Sequence, residues 1–279
     1  MSRVIYATGL SGFIGSHLLD QLKNDYSVIL NFRRNNQVEI YQDTNSPRVE
    51  KFSDNLINNF KTDTLFHLAT NYDPSPENLK DIKNIINSNF YFPVNLIDRL
   101  KIDPLSFNLI TTSSYIQLLH KDHQNIYSLS KDMFINWYKE ISENIVNIYL
   151  YDSFGANDLR NKVVDTFIKK ILNKEQIIIP ENEIEINLTE VGDIVRSLIN
   201  SIKLKRGEYQ IASKEVITLS ELALILMKII GHQTDVVRIG IGRNFLKHVR
   251  NSPRNILLSN NNLNLQDQLK ERVEEILSS

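Results

Sequence analysis

The chain has 279 residues, 42% of them hydrophobic and 23% charged, with a formal net charge of −1. That composition fits a folded protein with core enough for one large domain or two joined ones. The near-neutral balance excludes a broad electrostatic pull toward nucleic acid or an acidic membrane surface. The absence of cysteine excludes a disulfide framework, thiol catalysis and thiolate metal ligands, and fits a cytoplasmic location. No apolar stretch is long enough to span a bilayer, and the chain enters an apolar run directly, without a signal-peptide pattern.

The first element is a strand over Val4, Ile5, Tyr6 and Ala7, followed by the turn Thr8-Gly9-Leu10-Ser11-Gly12-Phe13-Ile14-Gly15 and a helix over residues 13–23. Three glycines spaced by three, between a strand and a helix, are the pattern of a turn that cradles a dinucleotide pyrophosphate. Gly9 permits the sharp turn, Gly12 lets the backbone reach the phosphates, and Gly15 lets the helix pack close. The free N–H groups and partial positive charge of the helix N-terminus favour the diphosphate. The second strand, residues 28–32, runs into Arg33 and Arg34. An acid at its end would hold a ribose 2′-hydroxyl, whereas arginine accommodates a 2′-phosphate. The position holds the neutral Asn31, so NADP(H) is expected over NAD(H).

Short strands follow at residues 48–52 and 64–68, then a loop at 71–77 and a helix over 79–99. A strand at 106–111 ends in the cluster Thr111-Thr112-Ser113-Ser114. After a loop at 117–125, a helix over 125–142 carries Tyr127 and Lys131, and a strand at 145–150 closes the first half. Tyr127 and Lys131 stand at i and i+4 on one helix face. An ammonium there favours the phenolate and lowers the phenol's pKa, making it a usable proton donor near neutral pH. Alternating β and α elements predict an α/β fold, a doubly wound parallel sheet of Rossmann type with its ligand site at the C-terminal strand ends. Residues 1–151 form the predicted dinucleotide-binding domain. Residues 152–279 form a smaller substrate lobe, with helices at 162–172, 190–202 and 220–230, a strand at 176–179 and a loop at 260–262. Segment 189–203 is expected to pack back on the first domain. The histidines, His120 and His123 included, form no metal-binding pattern, so no metal is expected.

With these motifs in order, nearly the whole chain resembles the extended short-chain dehydrogenase/reductase family of nucleotide-sugar epimerases, dehydratases and ketoreductases. The family's TGxxGFIG turn is Thr8–Gly15, its HLAA strand end is His67-Leu68-Ala69-Thr70, its helical Asn is Asn89, and its YxxxK pair is Tyr127 and Lys131. Its catalytic Ser/Thr is matched best by Ser113, with Thr112 and Ser114 as the other hydroxyls in place. Softer matches lie at residues 151–156, 187–193 and 209–213, where Asp152 replaces an Asn, Ala156 a Pro, and Asn187 and Gly192 acids. The resemblance implies a cofactor site of Gly9, Ser11, Gly12, Phe13, Ile14, Gly15, Asn31, Arg33, Arg34, Asp54, Leu68, Ala69, Thr70 and Asn89, with Tyr127 and Lys131. It implies substrate contacts from Tyr72, Ser114, Tyr115, Asp152, Arg160, Asn187 and Arg254, with Lys162, Arg243 and Arg250 as further candidates for a diphosphate. It also implies a homodimer through helices 79–99 and 125–142, with Ile82, Ile85, Ile86, Phe134 and Ile135 as apolar positions.

Residues 151–160 are similar to the "YDTYGPNDxR" stretch of CDP-abequose/paratose synthase-type reductases. The resemblance therefore implies NADPH-dependent reduction of the C4 keto group of a nucleotide-linked 4-keto-6-deoxyhexose, with CDP as first carrier and dTDP as second. The alternative is a 4-epimerase with bound NAD. A 4,6-dehydratase is disfavoured because Ser114-Tyr115 stand where its relatives carry Asp-Glu, and a non-enzymatic NADP sensor because Tyr127, Lys131 and Ser113 are all kept.

Overall fold

The computed structural model describes residues 3–42, 46–73, 75–101, 103, 105–119, 124–249, 252–253, 255–257 and 264–278. Its centre is a run of apolar strands: β1 (Val4–Thr8), β2 (Val28–Phe32), β5 (Thr64–His67), β6 (Asn108–Ser114) and β7 (Ile145–Leu150), joined by β12 (Gly207–Ile211). With β3 (Gln37–Gln42) and β4 (Arg48–Lys51) they form one eight-stranded sheet in the order β12-β7-β6-β5-β1-β2-β3-β4. The six strands from β12 to β2 are parallel. Strands buried on both faces read as continuous apolar runs, which is why these segments lack alternation.

Helices cover both faces. On one, Leu30, Leu65 and Leu109 pack with Leu96 and Ile97 of α4 (Phe92–Leu100) and Phe134, Ile135 and Tyr138 of α5 (Ile126–Ile141). On the other, Ile5, Ile29, Phe66 and Ile110 pack with Leu18 and Leu22 of α1 (Phe13–Asp25) and Ile194, Val195 and Leu198 of α7 (Val191–Ser201). A third core joins Phe167 and Ile168 of α6 (Val163–Leu172), Leu222 and Leu226 of α8 (Leu219–Ile230), and Leu269 and Val273 of α9 (Leu265–Ser278). Around it lie the paired short strands β8 (Asp152–Phe154) with β11 (Leu188–Glu190), β9 (Ile177–Ile179) with β14 (Val236–Arg238), and β10 (Glu185–Ile186) with β13 (Ile217–Thr218). Because β1 has β2 on one side and β5 on the other, a crevice opens at its C-terminal end, the place where such sheets bind ligands.

The sheet departs from the all-parallel expectation at one edge. Only residues 33–36 connect β2 to β3, too few for the helical crossover that a parallel neighbour needs, so the chain reverses. Asn36, at φ 64°, takes the left-handed conformation in that turn. β3 was not foreseen, although Val38 and Ile40 alternate inward with Gln37, Glu39 and Tyr41 between them, the pattern of a half-buried strand. α2 (Asp54–Asn59), capped by the Ser53 side chain, is also an addition.

The helix expected over 79–99 is divided. α3 (Leu79–Ile86) widens into a π-turn, Asn87–Tyr91, before α4. Pro93, at the start of α4, has no N–H to give the carbonyl of residue 89, and the wider turn accommodates that loss. Among apolar positions on α3, the π-turn and α5, Ile85, Phe134 and Ile135 are core residues and cannot serve an interface, whereas Tyr91 of the π-turn and Leu129 and Met133 of α5 are exposed.

Candidate active site

The β1–α1 turn has no room for side chains at two of its glycines. Gly9 has φ +78°, and a Cβ there would lie 2.5 Å from the Ala69 nitrogen. A Cβ on Gly15 would lie 2.0 Å from the Gly9 oxygen. Gly12 differs, since a Cβ would meet only the Gly9 oxygen, at 3.3 Å. Its side of the turn is bare backbone bordering a cavity of about 520 Å³. No side chain caps the N-terminus of α1, so its first N–H groups keep their capacity to donate. Ser11, Phe13 and Ile14 line the same wall, and Leu68, Ala69 and Thr70 face them from the end of β5.

Arg33 and Arg34 line the cavity at the end of β2. Asn31 does not: it is fully buried, and its Oδ1 accepts from the Leu10 N–H at 3.4 Å. Asp54 lies elsewhere, at the exposed start of α2, ion-paired with Lys101 at 2.5 Å, and is withdrawn from the cavity wall.

Tyr127 and Lys131 border the cavity from the first turns of α5. The helix starts there because Asn125 caps it, accepting from Ser128 N at 3.0 Å while the Ser128 hydroxyl accepts from Asn125 N. Burial pushes the Tyr127 phenol up, and hydrogen bonds with the Thr70 and Ser114 side chains offset only part of this. The phenol is therefore held in its protonated form. Lys131 Nζ lies 5.9 Å from the Tyr127 ring centre, and contrary to expectation burial, not the ammonium, sets the direction in which the phenol moves. Burial brings Lys131 itself down to about 8. His67 beneath it is lowered to about 3 by burial and by Lys131, so its imidazole is neutral and bonds Thr8 Oγ1 at 2.8 Å.

The structure distinguishes the two serines by their partners. Ser113 touches the cavity, but its hydroxyl donates to Asn147 Oδ1 at 2.7 Å between β6 and β7. Successive side chains of a strand point to opposite faces, and it is the Ser114 hydroxyl that stands beside Tyr127. Ser114 is fixed as the cap of a 3₁₀ turn, Tyr115–Leu118: its N–H donates to Gln117 Oε1 at 2.8 Å, and Gln117 Nε2 donates to Asp132 at 2.7 Å. Thr112 also borders the cavity.

The far wall is aromatic and charged. Tyr115 and Tyr151 stack with centroids 5.0 Å apart and planes within 6°, and Tyr72 meets Tyr127 edge to face at 4.9 Å. Asp152 lies between these rings and the cations Arg160 and Lys162. Burial raises Asp152 to about 6, against the lowering influence of Lys162 and Arg160. Arg160 is itself pinned: it pairs with Asp158 at 2.6 Å, reaches Ser153 Oγ at 3.1 Å and covers the Phe13 ring at 4.3 Å. Lys162 Nζ sits 4.4 Å from the Tyr72 ring centre.

Two expected contacts act at one remove from the cavity. Asn89, buried in the π-turn, accepts from Asn71 N at 2.7 Å and Thr70 Oγ1 at 3.2 Å, and donates to Ser130 Oγ at 3.1 Å, tying the β5 loop to α5. Asn187 clips the chain at Ser213 and Glu215 and does not reach the cavity. Arg254, Arg250, His120, His123 and the 260–262 loop lie outside the described residues. Lining residues not foreseen include Phe32, Ser88, Phe92 and Ser153. Among the described residues no group of His, Asp and Glu could hold a metal, and no helix is long and apolar enough to cross a membrane.

Comparison with known proteins bears on the family and the fold. Residues 5–208 match the NAD dependent epimerase/dehydratase family. A CDP-abequose synthase from Yersinia pseudotuberculosis is 25% identical over 227 residues, 78% of this chain and 79% of that protein. In fold, the chain is similar to a UDP-glucose 4-epimerase from Thermotoga maritima solved with UDP-glucose (TM-score 0.72, 17% identity, 99% of both chains). It is also similar to RMD from Pseudomonas aeruginosa solved with NADPH (TM-score 0.70, 15% identity, 100% of this chain and 98% of that one).

The buried ammonium has a cost that can be measured. Folding lowers Lys131 from its ordinary 10.5 to about 8, so the cost is present in full below about pH 8 and fades as pH rises toward 10.5. Lys131→Met is expected to stabilise the ligand-free protein at pH 7, by about 3 kcal/mol. Urea unfolding of both proteins at pH 7 and pH 10 checks this, and the gain should shrink at the higher pH.

Proposed function

The chain belongs to the NAD dependent epimerase/dehydratase family, and we propose that it is a nucleotide-sugar 4-ketoreductase. Its substrate is a nucleotide-linked 4-keto-6-deoxyhexose, CDP-linked by first choice and dTDP-linked by second, and its reductant is NADPH. The observation that carries this reading is the pairing of a protonated Tyr127 phenol with the Ser114 hydroxyl in a cavity that also holds Lys131. Tyr115 follows Ser114, so no carboxylate pair stands there to eliminate water. The similarity to a CDP-abequose synthase supports the choice of sugar and carrier.

The residues present fit a dinucleotide, because the bare backbone at Gly12 and the uncapped start of α1 suit a diphosphate. When bound, the nicotinamide supplies hydride to the carbonyl carbon. Ser114 donates a hydrogen bond to the carbonyl oxygen and steadies it as negative charge develops. Tyr127 gives its phenolic proton to that oxygen, leaving a secondary alcohol and a phenolate that is reprotonated from solvent. Lys131 stabilises the transient phenolate and holds the nicotinamide ribose. Asp152 accepts from a sugar hydroxyl, and Lys162 serves the substrate diphosphate. Arg34, which forms no ion pair among the described residues, favours a 2′-phosphate.

Purified protein with NADPH and CDP-4-keto-6-deoxyglucose is expected to oxidise NADPH stoichiometrically. Tyr127→Phe should keep cofactor binding and lose about 10²–10⁴-fold in turnover. Epimerised sugar without net NADPH consumption would establish the family's epimerase chemistry in its place.

Ionised Asp152 is the better acceptor, so kcat/KM should fall as pH drops through about 6. In Asp152→Asn that acidic limb should flatten, which pH profiles of the two proteins will read. We also propose a homodimer through the α3–π-turn segment and α5, where Tyr91 of the turn and Leu129 and Met133 of α5 are exposed. Light scattering at micromolar concentration should give twice the chain mass, and Met133→Glu should shift it toward monomer.

A further inference from the structure

The neutral residue at the end of β2 has an acid beside it after all. The antiparallel register sets Glu39 of β3 opposite Asn31. Asn31 Nδ2 donates to Glu39 Oε2 at 2.6 Å, and the Tyr41 hydroxyl donates to the same oxygen at 3.3 Å. The other oxygen, Glu39 Oε1, lies 3.3 Å from Arg33 Nη1, and that nitrogen donates to Ser11 Oγ at 2.9 Å. Asn31 Oδ1 accepts from Leu10 N, and Leu10 adjoins Ser11. The contacts thus close a ring, from the glycine turn through Asn31, Glu39 and Arg33 back to the turn. Glu39 is mostly shielded from solvent, whereas Arg33 is 38% exposed and borders the cavity.

We propose that Glu39 is a specificity-determining residue that tempers this chain's choice between phosphorylated and unphosphorylated dinucleotide. It holds Arg33 at the cavity mouth and at the same time neutralises it. A 2′-phosphate arriving at Arg33 meets a carboxylate on the guanidinium's other side, so part of the attraction is already spent. The selective charge is then carried chiefly by Arg34, and NAD(H) stays within reach of a site that two unpaired arginines would reserve for NADP(H). Glu39 acts through Arg33 and so is a positioning residue. The inference rests on the dinucleotide reading of the cavity, but not on which dinucleotide is preferred.

The test is the ratio of dissociation constants for NAD⁺ and NADP⁺, measured by calorimetry on wild type and Glu39→Gln. Glutamine keeps an acceptor for Asn31 and Tyr41 and removes the charge. The ratio should move toward NADP⁺ by about fivefold, the upper scale of one partly exposed charge contact, through tighter NADP⁺ binding. A merely structural role would weaken both dinucleotides alike. That result, a change under twofold, or a shift toward NAD⁺ would overturn the proposal. Should Glu39→Gln fail to fold, Glu39→Asp, which draws the carboxylate back from Arg33, should move the ratio the same way by a smaller factor. A wild type that prefers NAD⁺ would overturn the NADPH reading above and leave this one standing on the direction of the change. Failure of wild type to bind either dinucleotide would overturn both.

Discussion

No side chain fits between Gly9 and the backbone of Leu68 and Ala69, and the whole cavity is built on that contact. It lets the ends of β1 and β5 converge while the chain turns away into α1. Thr8 secures it from beneath, its hydroxyl accepting from the Ala69 N–H at 3.2 Å and bonding the neutral His67 ring. From this point three backbone segments fan outward: the start of α1, the β5 loop tied down by Asn89, and β6 with its Ser114 cap. Ser114 at the end of β6 and Tyr127 and Lys131 on α5 are presented by regular elements, the arrangement that holds reacting groups within small tolerances.

Much of this was legible in the sequence because the constraints were local. A glycine turn between a strand and a helix, a Tyr–Lys pair at i and i+4, and apolar runs of strand length each carry their geometry within a few residues. What was missed depended on partners distant in sequence. Ser113 and Ser114 are equivalent as letters, and only the Asn147 amide on the neighbouring strand shows which one is engaged between strands. Asn31 looked neutral because Glu39 reaches it by an antiparallel pairing that the expected all-parallel sheet did not contain. The alternation of Val38 and Ile40 was the available signal for that strand. Asp54 and Asn187 matched family positions in sequence, but their side chains serve an ion pair and a loop clip.

The electrostatics of the cavity divide along its length. At the β2 end the cations are partly matched, Arg33 by Glu39. At the far end Arg160 is matched by Asp158. Between them lie two groups whose charged forms burial opposes, Lys131 and Asp152. Groups of that kind are costly to fold around and gather where a ligand compensates them. The stacked Tyr115 and Tyr151 add a flat apolar surface beside the charges, so one cavity can receive both a ring and a diphosphate.

The packing of α7 bears on how the protein is made. Ile194, Val195 and Leu198 cover Leu18 and Leu22, and β12 completes the sheet beside β7. A ribosome that has released only the first 151 residues has delivered every strand of the sheet but β12, yet one face lacks its second helix. That apolar surface stays open until residues 191–211 emerge, at about 5–20 residues per second a delay of several seconds. During that interval the nascent chain offers an aggregation-prone face, so its yield in a cell should depend on holdase chaperones more than its final stability would suggest.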